Sequence, residues 1–214
     1  MGSILKVLKM SEFQREDMTK FCERNSQRAI AKQNSVKDSY ENAQNRCFQK
    51  RTHVILGIDP GTRITGYGII ETDLRSYTPI DFGCIRPSPK LPLHERYALI
   101  HEGVEHLLDK YPIEALSVET QFVSRNAQSA IKLGMARGVA ILAATKRKIP
   151  IHEYAPKKAK LAVVGTGTAT KAQVQRMMQT LLNLTELPTP EDAADALALA
   201  ICHANSLKQV PYDF

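Results

Sequence analysis

The sequence predicts an α/β fold, a mixed five-stranded sheet flanked by helices. Three observations carry that reading. Five short apolar runs rich in β-branched residues follow one another from His53 onward. Between the later runs the apolar spacing changes to that of an amphipathic helix. The first three runs are joined by short turns, which suggests an antiparallel meander, and the order β-β-β-α-β-α-β-α-α then gives a mixed sheet with helical layers.

The elements follow in order. Residues 53–58 (HVILGI) read as a buried strand, and Asp59-Pro60-Gly61-Thr62 is turn chemistry. Residues 64–71 read as a second strand, with Gly66 and Gly68 on one face where another backbone or a ligand approaches closely. Residues 80–86 give a third. Leu93, Tyr97, Ile100, Val104 and Leu107 recur at spacings of 4, 3, 4 and 3, one face of a helix. Residues 113–119 are a fourth strand. From Asn126 to about Lys146 the chain is helical, and Ala127, Ala130, Ile131, Gly134, Gly138 and Ile141 share a face whose small residues admit a sheet or a second subunit. Residues 149–154 are a fifth strand. Thr170-Lys171-Ala172-Gln173 is a capping-box pattern opening a helix buried through Val174, Met177, Met178, Leu181 and Leu182. Thr189-Pro190 is expected to cap the last helix, with Pro at its first position.

Composition limits the possibilities. The chain has 214 residues, 43% hydrophobic and 24% charged, enough to close a soluble core. No stretch approaches the roughly 18 apolar residues of a membrane helix, and residues 1–10 lack the features of a secretory signal. Cys22, Cys47, Cys84 and Cys202 form no C-x-x-C pair, so a reducing, cytoplasmic setting is expected rather than a disulfide scaffold or a thiolate zinc site. The net charge of +7 is uneven. Residues 1–52 hold 11 Lys+Arg against 6 Asp+Glu and have few large apolar residues after Phe21. They are expected to form a disordered or weakly helical basic extension, or to lie upstream of the true start. The globular domain is expected to span 53–206, with 207–214 as a short tail.

Most acids of that domain lie on helix surfaces or loops, where a solvated charge is the default. Four do not. Asp59 and Glu119 each end a buried strand. Asp192 and Asp195 are three apart at the start of an otherwise apolar helix and share a face. Singly, each has an ordinary explanation: Asp59 as a turn residue, Glu119 as an exposed strand end, Asp192 as a first-turn acid favoured by the helix dipole. As a set they suggest a metal centre. Clustered carboxylates raise one another's pKa unless cations neutralise them, and all-oxygen ligation selects Mg²⁺ or Mn²⁺ over zinc. Two such ions roughly 3.5–4 Å apart suit phosphodiester cleavage.

Five blocks then stand in register: ILGIDPGTRITGYGII (55–70), VETQF (118–122), NAQSAIKLGMARGVAILAA (126–144), AVVGTG with TKAQVQRM (162–167 and 170–177) and EDAADALALAICHA (191–204). In order and spacing they resemble the RuvC family of Holliday-junction resolvases. The resemblance implies an RNase H-like fold and a homodimeric, Mg²⁺-dependent endonuclease, with two ions per site and Mn²⁺ able to substitute. Such an enzyme nicks opposed strands of a four-way DNA junction in recombination and repair, together with the branch-migration proteins RuvA and RuvB. It places the four acidic ligands on Asp59, Glu119, Asp192 and Asp195. The stacking aromatic falls on Phe122 and the DNA-contacting lysines on Lys160 and Lys171. Arg125, Asn126, Lys157 and Lys158 would extend a phosphate-binding track. His203 reads as a core or boundary residue. Two other readings stay open on the residues: a nucleotide-binding protein of the actin-like or sugar-kinase-like kind, because D-x-G-T follows a strand, and a non-catalytic junction-binding module.

Overall fold

The computed structural model describes residues 52–120 and 126–208. Five strands form one sheet: β1 (His53–Asp59), β2 (Thr65–Thr72), β3 (Tyr77–Ile85), β4 (Ala115–Glu119) and β5 (Ile151–Tyr154). Their order is β3-β2-β1-β4-β5. β1 to β3 are antiparallel neighbours, whereas β4 runs parallel to both β1 and β5. The mixed sheet is as expected, and β1 and β4 end side by side. Strand boundaries shift by one to three residues. β3 begins at Tyr77, earlier than expected, because Pro79 is accommodated beside a register shift between Ile69 and Ile70.

Five helices cover the sheet: α1 (Leu93–Lys110), α2 (Ala127–Lys146), α3 (Pro156–Val164), α4 (Lys171–Leu181) and α5 (Glu191–Leu207). The short α3 was not expected. It starts with Pro156 in its first turn and stops at Gly165, whose φ of 82° is the left-handed conformation glycine adopts freely. Its lysine-rich first turn hides the two buried contacts, Ala159 and Val163, that hold it down. The capping box at Thr170 is present: Gln173 N–H donates to Thr170 Oγ1 at 3.3 Å, and Thr170 N–H donates to Gln173 Oε1 at 2.8 Å. Of the apolar residues expected to bury α4, Val174, Met178 and Leu182 are buried, but Met177 is only partly covered and Leu181 is exposed. Pro190 is the residue flanking α5, not its first helical residue; helical geometry starts one position later, at Glu191.

Side chains alternate between two cores. Val54, Leu56, Ile58, Leu116 and Val118 face α1 and α2, packing on Val104, Leu107, Ala140 and Ala144. Ile55 and Ile70 face the other layer, where α4 and α5 supply Val174, Met178, Leu197 and Ile201. α2 uses its alanine face for this, Ala136, Ala140, Ala143 and Ala144. The face expected to pack closely is the opposite one. A Cβ added at Gly134 or Gly138 would meet nothing within 4 Å, and Ile131 is 63% exposed. The sheet therefore does not cover that face.

α5 lies on the sheet at backbone contact distance. A Cβ at Gly57 would sit 2.0 Å from the Ala196 carbonyl oxygen, and one at Gly66 2.0 Å from that of Asp192. Gly66 and Gly68 thus admit another backbone, as their place on one strand face suggested. Ser117, fully buried on β4, donates to the Leu199 carbonyl at 2.7 Å and fixes α5 lengthwise. Near the far end, His203 is buried, bonded through Nδ1 to the Tyr154 hydroxyl at 2.8 Å and stacked on His152 at 3.9 Å between ring centroids. It is a satisfied core residue, and burial holds its pKa down to about 4. No helix of the described residues is long and apolar enough to cross a membrane.

Candidate active site

The four acids meet because of sheet order and helix placement. Ile58 pairs with Val118 in the parallel β1–β4 ladder, so Asp59 and Glu119 are the next residues of two adjacent strands. Asp59 also pairs with Gly66, and the missing side chain there lets the start of α5 descend, with Asp192 in its first turn and Asp195 just beyond. The turn after Asp59 is braced on both sides. Thr65 Oγ1 donates to the Gly61 carbonyl at 2.8 Å and accepts from Gly61 N–H at 3.2 Å, and the Arg96 guanidinium donates to the Thr62 carbonyl.

Asp59, Glu119, Asp195, Lys160, Lys171 and Pro156 line a cleft of about 280 Å³. Its electrostatics are those of crowded carboxylates. Burial, then the charges of Glu119, Asp195 and Asp192, push the Asp59 carboxyl up to about 8. Burial also raises Glu119, against the hydrogen bond it shares with Asp59. Asp195 is raised by burial, opposed by Lys171 and Lys160. Lys171 lies 3.4 Å from Asp195 Oδ2 and 3.6 Å from Glu191 Oε2. Burial disfavours its charge, but the surrounding carboxylates outweigh that and raise its pKa. A proton shared between Asp59 and Glu119 and the ammonium of Lys171 thus supply the positive charge the cluster needs.

Among the described residues, no three His, Cys, Asp or Glu side chains are drawn tightly enough together to grip a metal ion. The donor set nonetheless fits a hard divalent cation. It is all oxygen, it is partly buried, and its carboxylates repel one another, which a cation between them would relieve.

The expected DNA-contacting residues divide. Lys160 and Lys171 stand at the cleft, and Lys160 is anchored by donating to the Ala169 carbonyl at 2.8 Å. Asn126 caps α2 by accepting from Ser129 N–H at 3.2 Å. Phe122 and Arg125 lie outside the described residues. Lys158 does not extend the track at the acids. Its ammonium sits 5.1 Å from the centroid of the Tyr154 ring and lines a separate groove with Cys202, Asn205 and Lys208. Sequence reasoning missed the β3 flank. Cys84 pairs with Gly66, hence stands two strands over from Asp59 on the same face. Its thiol, pushed up to about 11 by burial and then by Asp192, also bonds to Arg86. The run G-C-I-R carries no signal of its own; only the register places Cys84 level with Asp59.

A sheet of this order, with acids ending its two central strands and a third element delivering two more, defines an RNase H-like nuclease. Comparison with known proteins narrows the class. Residues 55–203 match the family described as crossover junction endodeoxyribonuclease RuvC, and this chain belongs to that family. The crossover junction endodeoxyribonuclease RuvC of Protochlamydia amoebophila (strain UWE25) is 63% identical over 162 residues, 75% of this chain and 96% of that protein. That of Desulforamulus reducens is 48% identical over 151 residues, 71% and 93% of the two chains. Among solved structures, T. thermophilus RuvC in complex with Holliday junction substrate superposes with a TM-score of 0.68 at 35% identity, covering 73% of this chain and 95% of that one. Family membership decides against the actin-like reading of D-x-G-T.

Proposed function

We propose that this chain resolves four-way DNA junctions by paired, symmetric nicks in opposed strands, using divalent metal, during recombination and repair. The observation that supports this most is the meeting of Asp59, Glu119 and Asp195 in one cleft beside Lys160 and Lys171, with Asp192 close enough to raise Asp59 further. Asp59, Glu119, Asp192 and Asp195 would hold the cation, Mg²⁺ by preference and two per site, with Mn²⁺ able to substitute. When bound, the metal supplies activation of water and stabilisation of the leaving 3′ oxygen. The protein's own part is to bring these carboxylates together in a partly buried cleft and to offer Lys160 and Lys171 to the phosphates. Phe122 would stack on an opened base, worth about 1–3 kcal/mol, with Arg125 and Asn126 beside it.

The substrate is two-fold symmetric, and so is the assembly that suits it. Ile131, Met135 and Leu142 are exposed along one stripe of α2, with Gly134 and Gly138 open between them. A second copy of the chain fits that stripe, and RuvA and RuvB are the further partners the family suggests. Ile131→Asp is expected to yield monomers in sedimentation and to abolish paired nicking. Because Ile131 is exposed, the melting temperature of the dilute protein should fall little; dimers that persist would place the interface elsewhere.

Cytoplasmic action follows from a chromosomal substrate, and the nuclease domain is assigned to residues 53–206. Deleting residues 1–52 is accordingly expected to preserve cleavage at moderate salt, whereas a large loss would mean that the segment grips DNA or supports the dimer.

The deciding experiment is cleavage of a synthetic four-way junction with Mg²⁺, against linear duplex and EDTA controls. Paired nicks confined to the junction and lost in EDTA support the proposal. Tight binding without cutting in Mg²⁺ or Mn²⁺ would favour a non-catalytic junction-binding module.

A further inference from the structure

Glu119 ends its strand, and strand ends need something to hold them. On the β5 side, Thr120 N–H donates to the Tyr154 carbonyl at 2.8 Å. The peptide joining Glu119 to Thr120 is trans, so the Glu119 carbonyl points the other way, toward β1. The β1–β4 ladder stops one residue earlier, at Ile58 and Val118. The carbonyl is instead taken by Arg137 of α2, whose Nε donates to it at 3.0 Å. The same guanidinium is steered by an ion pair from Nη2 to Glu153 Oε2 at 2.5 Å. Glu153 is level with Val118 on β5 and shares its face, the one covered by α1 and α2. The Glu119 side chain is on the opposite face, with Asp59.

We infer that Arg137 is a positioning residue for Glu119: it grips the backbone of the acid from behind the sheet and sets where the carboxylate stands. It does so from α2, one helical turn beyond Gly134 on the border of the exposed apolar stripe. The helix offered to a second copy of the chain is therefore tied to an acid of the cleft by a single side chain. The fork of the guanidinium matters as well as its charge, because one planar group must reach a carbonyl and a carboxylate together. This rests on the reading of Glu119 as a metal ligand.

The test compares Arg137→Gln, Arg137→Lys and Glu153→Gln with the unaltered chain. Three readouts are needed: single-turnover junction cleavage, junction affinity, and the rise in melting temperature on adding Mn²⁺ without DNA. Both Arg137 variants are expected to cut about 10- to 100-fold more slowly, the scale of a misplaced reacting group. They should also require more Mn²⁺ for the same thermal shift while junction affinity stays within about twofold, a small free-energy change. Glu153→Gln removes the charge that steers the guanidinium but not its bond to Glu119, so it should show the same defects in weaker form, between the unaltered chain and Arg137→Gln. Arg137→Lys stands in if the Gln variant does not fold. An unchanged Mn²⁺ requirement, with cleavage and stability falling together, would make Arg137 a structural tie only and overturn the inference. A loss confined to junction affinity would make it a phosphate contact and overturn it too. An unaltered chain that never cuts would sink the resolvase reading alone, since the Mn²⁺ shift still decides the role of Arg137.

Discussion

Asp59→Asn is expected to slow junction cleavage by about 10³-fold, the loss of several kcal/mol of metal-dependent stabilisation, while making the metal-free protein more stable at alkaline pH. The two effects have one cause. Folding buries Asp59 beside Glu119, Asp195 and Asp192, and its pKa moves from 3.8 to about 8. Between those values the folded chain keeps a proton that the unfolded chain has released. Stability must then fall as pH rises from about 4 to about 8, and the full cost is present above the folded value. That cost is on the order of 3 kcal/mol once sharing of the proton with Glu119 is allowed for. Asparagine keeps the shape and carries no charge. In EDTA, the melting temperatures of the two proteins should be close near pH 5 and should separate by pH 8.5 in favour of the variant. Titrating groups outside the cluster cancel in that difference, whereas Glu119, which shares the proton, titrates differently once Asp59 is neutral. Divalent metal should narrow the gap by stabilising the unaltered chain. A gap independent of pH would mean that Asp59 is not held among like charges, and retained cutting would remove it from the metal site.

How much of this was legible in the sequence depended on whether the deciding interaction was local. β1 and β4 were readable because HVILGI and ALSV are apolar runs closed by an acid, and the acid at each end is the site residue itself. The capping box at Thr170 was readable because its partners are three residues apart. α3 was not, since its helix signal is a proline at the start and a glycine at the stop around a lysine-rich turn. Which of the two partners left open for the small-residue face of α2, a sheet or a second subunit, could not be told from the pattern, and the structure removes only the sheet. Alanine and glycine look alike in a pattern of small residues, yet Ala136, Ala140 and Ala143 fill the core while Gly134 and Gly138 stay open. Arg137 and Cys84 were out of reach. Their proximity to the acids comes from register and from packing across the sheet, between residues 18 or more apart in the chain. Lys158 had the right charge at the wrong point of the helix, one that turns it onto Tyr154.

Gly66→Ala should be the most damaging single methyl group in the domain, with Gly57→Ala close behind. At either position the new Cβ would fall 2.0 Å from a backbone carbonyl oxygen of α5, and neither contact is a side chain that can swing aside. The helix would have to lift from the sheet. That opposes the anchor at Ser117 and the packing of Leu197 and Ile201, so a cost of about 3 kcal/mol or more is expected, at the upper end for an overfilled core. The two variants should differ in their consequences for catalysis. Gly57 lies under Ala196 and Ala200, within the body of the helix, whereas Gly66 lies under Asp192 itself. At a temperature where each variant remains folded, Gly66→Ala should therefore lose cleavage well beyond what its melting temperature accounts for, because the turn carrying Asp192 and Asp195 is displaced from Asp59. Gly134→Ala is the control for stability alone, because that position lies on the stripe offered to a second copy. It meets nothing in the protomer and gains up to about 1 kcal/mol of helix propensity. Thermal melts on the three variants, and single-turnover cleavage on those at Gly57 and Gly66, decide the matter. If Gly66→Ala melts with the unaltered protein, α5 does not rest on that strand, and the descent of its first turn into the acid cluster has another cause.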